Sequence, residues 1–139
     1  MRFADTNILL YAISRDPGEA GKAGKANEVL AAGDLGLSVQ VLQEFYVQAT
    51  RASRQDALTH EQAAGLIDAW RRFPVQETTA GVMAAALETR RRFGISYWDA
   101  AIIEASRALG CPVVLSEDLD AGTDFDGVRV ESPFACADS

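Results

Sequence analysis

Short apolar runs alternate along the chain with longer stretches whose apolar positions recur every three or four residues. That alternation is the signature of strands interleaved with amphipathic helices. Residues 2–5 read as a short strand that runs into a helix over 7–14, which stops near Asp16 and Pro17. An Ala-rich helix over 19–33 carries Gly33 near its end, and "LGLS" at 35–38 is a strand leading to Ser38. The amphipathic pattern over 39–51 is a helix. Thr59 and Gln62, at capping-box spacing, open another over 60–73, which Pro74 breaks. Residues 74–78 are a strand, 80–94 a helix with Gly94 as its C-cap, and 96–110 a helix ending at Gly110. "CPVVLSED" at 111–118 is the clearest strand, and 127–132 a last one. Such a β–α alternation predicts an α/β/α sandwich, a mainly parallel central sheet with helices on both faces.

With 139 residues, no repeats and no low-complexity linker, the pattern predicts one domain over 1–139. No apolar stretch approaches the roughly 20 residues that span a bilayer. Asp5 interrupts the first apolar run and no small-residue cleavage site follows, so the start does not read as a signal peptide. Cys111 and Cys136 are too few for a disulfide framework or a zinc cluster, and read as free thiols of a cytoplasmic protein. The formal net charge of −7 argues against broad counterion-release binding of nucleic acid. It leaves room for local basic strips. Arg51 with Arg54, Arg71 with Arg72, and Arg90 to Arg92 each fall near a predicted helix end, where cations favour the dipole. The same groups offer a path that steers an anionic polymer.

In folds of this class function gathers at the carboxyl ends of the strands. Asp5 ends the first strand, followed at once by Thr6 and Asn7, and Asp118 lies just past Val113-Val114-Leu115. Asp99 sits in the first turn of its helix. Glu44 sits in the second turn of the helix after Ser38, beside its apolar stripe. Each acid has an ordinary structural explanation. Asp5 caps a helix, Ser96 and Asp99 match a capping box, Asp118 is a turn residue and Glu44 a boundary acid. Four acids at one sheet edge, however, repel and raise one another's pKa, a conflict that a bound divalent cation removes. The only histidine, His60, lies in a polar helix start, so zinc chemistry and a Ser-His-Asp triad have no support. Carboxylate oxygens suit Mg²⁺ or Mn²⁺. "GEAGKAGKA" at 18–26 misses the phosphate-loop spacing, and Ala26 replaces the hydroxyl.

Four segments, "FADTNILLYA", "LSVQVLQEFYVQATR", "ISYWDAAIIEAS" and "VLSEDLDAG", stand in this order across nearly the whole chain. In them the chain resembles the PIN domains, and in particular the VapC-type ribonuclease toxins of prokaryotic toxin–antitoxin pairs. The resemblance implies a metal-dependent endoribonuclease that hydrolyses RNA phosphodiester bonds. Its acidic residues fall on Asp5, Glu44, Asp99 and Asp118, with Thr6 at the small polar position and Asp120 ranked second to Asp118. Asp5, Asp99 and Asp118 would hold Mg²⁺ or Mn²⁺, and Glu44 would complete the site or orient the attacking water. It also implies an antitoxin partner that covers the acidic pocket, and a homodimer. Two other readings stand beside it. A haloacid-dehalogenase-type phosphatase also places an Asp after the first strand, but needs a second acid where Asn7 stands and a lysine later than Lys25. A non-catalytic PIN-like module that only binds partners is favoured by loss of an acid, and none is lost.

Overall fold

A computed structural model describes residues 1–134 of the chain. Its elements are β1 (Arg2–Ala4), α1 (Thr6–Ala12), a 3₁₀ turn (Pro17–Glu19), α2 (Ala20–Ala31), β2 (Leu35–Ser38) and α3 (Val39–Ala49). Then come α4 (His60–Trp70), β3 (Val75–Gln76), α5 (Ala80–Phe93), α6 (Tyr97–Ala108), β4 (Val113–Leu115), β5 (Asp124–Phe125) and β6 (Val128–Glu131). Local chemistry sets the boundaries. Thr59 accepts from the Gln62 N–H while the Gln62 side chain accepts from the Thr59 N–H, a complete capping box that starts α4. Gly94 ends α5 at φ 69°, a left-handed value that an L side chain reaches only at a cost. Arg90, Arg91 and Arg92 occupy the last turn of α5, where their charge complements the helix dipole.

The sheet order is β3-β2-β1-β4-β6-β5. β2 pairs with β1 and with β3 in parallel, and β4 pairs in parallel with β1 and β6. Only β5 runs antiparallel, joined to β6 by the two-residue turn Asp126-Gly127. From β1 the chain steps outward through β2 to β3, then returns to lay β4 on the other side of β1. Right-handed crossovers in opposite directions put their helices on opposite faces. The packing agrees: α1 meets α2 and α3, and α3 meets α4, whereas α5 packs on α6, which itself lies against β2, β3, β4 and β6.

All four residues of β2 are buried, as a strand covered on both faces requires. Phe3, Leu37, Phe45, Ile103 and Val114 are fully buried in one continuous core, with Phe45 edge-on to Trp70 at 4.8 Å. At Gly36 of β2 an added Cβ would sit 2.5 Å from Leu109 Cδ2 and 3.1 Å from Cys111 Sγ. The Leu109 and Cys111 side chains thus fill the space where a side chain at position 36 would stand, and would have to shift to admit one. Cys111 is a buried free thiol, and Cys136 lies outside the described residues. Among the described residues no helix is long and apolar enough to cross a membrane.

Candidate active site

The reversal of direction between β1 and β4 opens a crevice beyond their carboxyl ends, the position where open α/β sheets bind ligands. Asp5 enters it directly from β1. Its backbone N–H donates to Leu115 C=O at 3.0 Å, and its extended φ and ψ make it the N-cap of α1. Oδ1 accepts the Thr6 N–H at 2.7 Å and Oδ2 accepts the Ser116 hydroxyl at 2.8 Å. Asp5 is a cap and also a carboxylate only 7% exposed. Burial pushes its pKa up to about 6; the bonds from Ser116 and Thr6 oppose the rise, and the charges of Glu44 and Asp118 add to it.

The two residues after Asp5 hold other acids in place. Thr6 Oγ1 donates to Glu44 Oε2 at 2.8 Å, and Gln40 Nε2, one turn earlier on α3, donates to Glu44 Oε1 at 3.0 Å. Gln40 also reaches the Trp98 carbonyl at 3.3 Å, which ties α3 to the start of α6. Asn7 Nδ2 donates to Asp118 Oδ2 at 3.1 Å, while Asn7 Oδ1 accepts the Glu117 N–H at 3.2 Å. Beneath them Ser116 is fully buried, and its Oγ accepts the Asp118 N–H at 3.1 Å and the Leu119 N–H at 3.3 Å. The Asp-Thr-Asn run therefore anchors a carboxylate, an α3 acid and the loop after β4 at one point.

Asp99 arrives from the opposite face, in the first turn of α6. Ser96 Oγ accepts its N–H at 3.1 Å. The reciprocal half of a capping box, in which Asp99 would return a bond to the Ser96 N–H, is not made, so its carboxylate is not consumed as a cap. Partial burial raises the Asp99 carboxyl above its ordinary value; Ser96 opposes this, and Asp118 and Glu44 reinforce it.

Asp5, Glu44, Asp99 and Asp118 all line one cavity of about 310 Å³. Asp120 does not line it; Asp124 accepts the Gly127 N–H of the β5–β6 turn, and Asp126 pairs with Arg92. Arg91 pairs with Glu88 along α5, so the triple-arginine run acts at its own helix end and lies away from the cavity. His60 meets Tyr46, its Nδ1 2.9 Å from the hydroxyl. The discounted glycine-lysine stretch forms the start of α2, and its Lys22 donates to Glu117 Oε2 at 2.5 Å.

Sequence reasoning missed three participants, Ser116, Gln40 and Glu117, while Arg54, singled out there only as part of a basic group, lines the cavity. Glu117 lines the cavity but is compensated. Although partial burial raises its pKa, bonds from Lys22 and Tyr11 outweigh that and leave the carboxyl below its ordinary value. The other carboxylates have only neutral donors as partners, and two of them are raised.

Among the described residues no three Asp, Glu, His or Cys side chains form a ready-made ligand cluster. Thr6, Gln40, Asn7 and Ser116 hold the acids at separate stations around the cavity. An all-oxygen donor set of spaced carboxylates fits a hard cation that keeps several of its waters. It does not fit a soft metal that demands nitrogen or sulfur.

Fold and crevice together define an α/β protein with an acidic site at the topological switch point. The chain belongs to the PIN domain family, whose model matches residues 2–126. Among solved structures it is similar to the Mycobacterium tuberculosis toxin VapC20, described as cleaving the sarcin-ricin loop. That match has a TM-score of 0.65 at 21% identity, covering 85% of this chain and 90% of the other. It is also similar to a toxin–antitoxin complex from Klebsiella pneumoniae, with TM-score 0.69, 18% identity, and coverage of 96% and 98%. DNA-bound VapBC from Salmonella typhimurium matches at TM-score 0.68 and 17% identity, covering 95% and 97%. No curated protein matched in sequence.

Proposed function

We propose that this chain is a metal-dependent endoribonuclease acting as the toxin of a toxin–antitoxin pair. The observation that carries the reading is the meeting of Asp5, Glu44, Asp99 and Asp118 at one cavity in a PIN domain, with Asp5 buried and raised to about 6. Burying an acid beside other acids costs stability, and a chemical role for their combined charge accounts for that cost.

Asp5, Asp99 and Asp118 would hold Mg²⁺ or Mn²⁺. When bound, the cation supplies Lewis-acid charge neutralisation at the scissile phosphate. Ser116 and the Thr6 N–H fix both oxygens of Asp5, so that acid is pre-oriented. Thr6 and Gln40 fix Glu44, which orients the attacking water and accepts its proton. Asn7 keeps Asp118 turned toward the cavity.

The phosphatase reading needs a general acid two positions after Asp5. Asn7 stands there, spent on Asp118 and the Glu117 N–H, so that reading lacks its proton donor. A non-catalytic module is favoured by loss of an acid, and all four line the cavity. As partners we propose RNA as substrate, an antitoxin that covers the cavity with a basic side chain, and a second copy of the chain in a homodimer. The chain acts in the cytoplasm as a single domain.

Expression of the chain alone should arrest growth, and mapped 5′ ends in total RNA should converge on a small set of sites. Purified protein should reproduce those ends with Mg²⁺ or Mn²⁺ and stop on chelation. Intact RNA with folded protein and either ion would overturn the proposal.

A further inference from the structure

The chemistry above leaves one charged side chain at the cavity without a role. Asp5, Glu19, Glu44, Asp99, Glu117 and Asp118 line it, and Arg54 is the one cation among the lining residues. Arg54 stands in the connection between α3 and α4. Its side chain is only 23% exposed, and Nε lies 3.1 Å from Asp56 Oδ1. That approach lacks hydrogen-bond alignment, so the buried Nε is unsatisfied, and the terminal nitrogens make no hydrogen bond to the described residues.

The same side chain lines a second cavity of about 390 Å³, bounded by residues 14–17, Glu19, Gln55 and Asp56. The two cavities therefore adjoin across Arg54 and Glu19. The acids of the second cavity are locally engaged: Glu19 accepts from Ser14, Asp16 from the Gly18 N–H, and Asp56 from the Arg15 N–H. Arg15 and Arg54 are its cations.

An RNA strand seated at the acidic cavity brings a second phosphate that the carboxylates repel. A guanidinium with free terminal nitrogens is the group that receives one, since its planar fork matches two phosphate oxygens. We propose that Arg54 is a phosphate-positioning residue. It holds the backbone phosphate next to the scissile one and leads the strand from the acidic cavity into the adjoining one. This rests on the ribonuclease reading.

The test uses full-length protein and an RNA oligonucleotide carrying the cleavage site mapped from total RNA. R54Q should raise KM by about 10- to 100-fold, the range of a charged hydrogen-bonded contact, with kcat near wild type. R54K, which keeps charge but loses the fork, should fall between. In the Asp5→Asn background, which binds without cutting, adding R54Q should flatten the slope of log affinity against log salt by ~0.7. Methylphosphonates placed singly around the cleaved bond should reveal one neighbouring phosphate whose neutralisation weakens wild type. In R54Q that change should cost nothing further.

Unchanged KM and salt slope in R54Q overturn the proposal, as does a fall in kcat that tracks a fall in Tm, which would make Arg54 a structural tether of its loop. R54Q that cuts normally but escapes a co-expressed inhibitory protein would assign the residue to a protein partner and also overturn it. Wild type that cuts no RNA overturns the ribonuclease reading and this inference with it; wild type that cuts while R54Q is indistinguishable overturns this inference alone.

Discussion

Replacing Asp5 by Asn should stabilise the protein and abolish its activity, and the structure gives the size and pH window of the first effect. The Asp5 carboxyl has a pKa of about 6 in the fold against an ordinary 3.8. Each pKa unit is worth ~1.4 kcal/mol, so the ionised side chain destabilises the fold by ~3 kcal/mol at neutral pH. The sign follows from proton counting. Between those two pKa values the folded state binds the proton and the unfolded state has lost it, so stability falls as pH rises through the window. Below the unfolded value the penalty is absent.

Asparagine is neutral at every pH, so Asp5→Asn removes the penalty. It still caps α1, since Asn caps about as well as Asp. Its amide nitrogen then faces Ser116 Oγ, whose lone pairs already accept the Asp118 and Leu119 N–H groups, so the buried bond to Ser116 is lost, at roughly 1–2 kcal/mol. The net gain at pH 7 without divalent cations is therefore ~1–2 kcal/mol, which raises Tm by roughly 3–8 °C for a chain of this size. Urea titrations of both proteins at pH 4, 5.5 and 7 in EDTA measure it. The gap should widen with pH between about 4 and 6. A gap independent of pH, or a variant less stable than wild type at pH 7, would refute the reasoning.

Asp99→Asn should likewise be no less stable than wild type in EDTA at pH 7, since burial, Asp118 and Glu44 already raise its carboxyl. Calorimetric titration with Mg²⁺ should show binding to wild type that weakens in this variant. Saturating Mg²⁺ at about 100 times Kd should stabilise wild type by ~2.7 kcal/mol and the Asp5→Asn protein much less, read as Tm shifts. Replacing Arg90, Arg91 and Arg92 together by Gln should leave RNA cleavage within about threefold in a direct assay, because they stand in the last turn of α5 and none of them lines the cavity. Gly36→Ala should cost ~1–3 kcal/mol in urea denaturation, since the new methyl meets Leu109 Cδ2 at 2.5 Å.

The elements that the sequence located are helices long enough to carry a period and strands set off by β-branched residues or by a break such as Pro74. The helices α2 to α6 and the strands at Phe3, Leu37, Val75, Val114 and Val130 lie within the segments read from the sequence, and α1 starts one residue ahead of its segment, at Thr6. The β5 strand was missed because Asp124 and Phe125 stand in a stretch of Asp and Gly with no β-branched run to mark them, although Asp126-Gly127 is a recognised hairpin signal. It lies at positive φ, 53° and 95°, as a type I′ turn requires.

At the site, the four acids were legible because each stands at a strand end or beside an apolar helical stripe. Their supports were not. Ser116 reads as an ordinary polar residue after a strand, and its role depends on β1 lying beside β4. Gln40 stands one turn before Glu44 on α3, and its second contact, to the Trp98 carbonyl, exists only because α3 approaches the start of α6. Arg54 looked like one more cation near a helix end, and only the folded connection turns it toward the acids. Asp5 was posed as either a cap or a functional acid. Its two oxygens divide the work: Oδ1 caps α1 and Oδ2 meets Ser116.

The central claim is that the four carboxylates form one cation site that cuts RNA. Its most direct test is a side-by-side cleavage assay of purified wild type and Asp5→Asn on total RNA, with Mg²⁺ and with EDTA, circular dichroism confirming that both are folded. The account predicts discrete cleavage by wild type in Mg²⁺ alone, and none by the more stable variant. Equal cleavage by the two proteins, or cleavage that persists in EDTA, would contradict it.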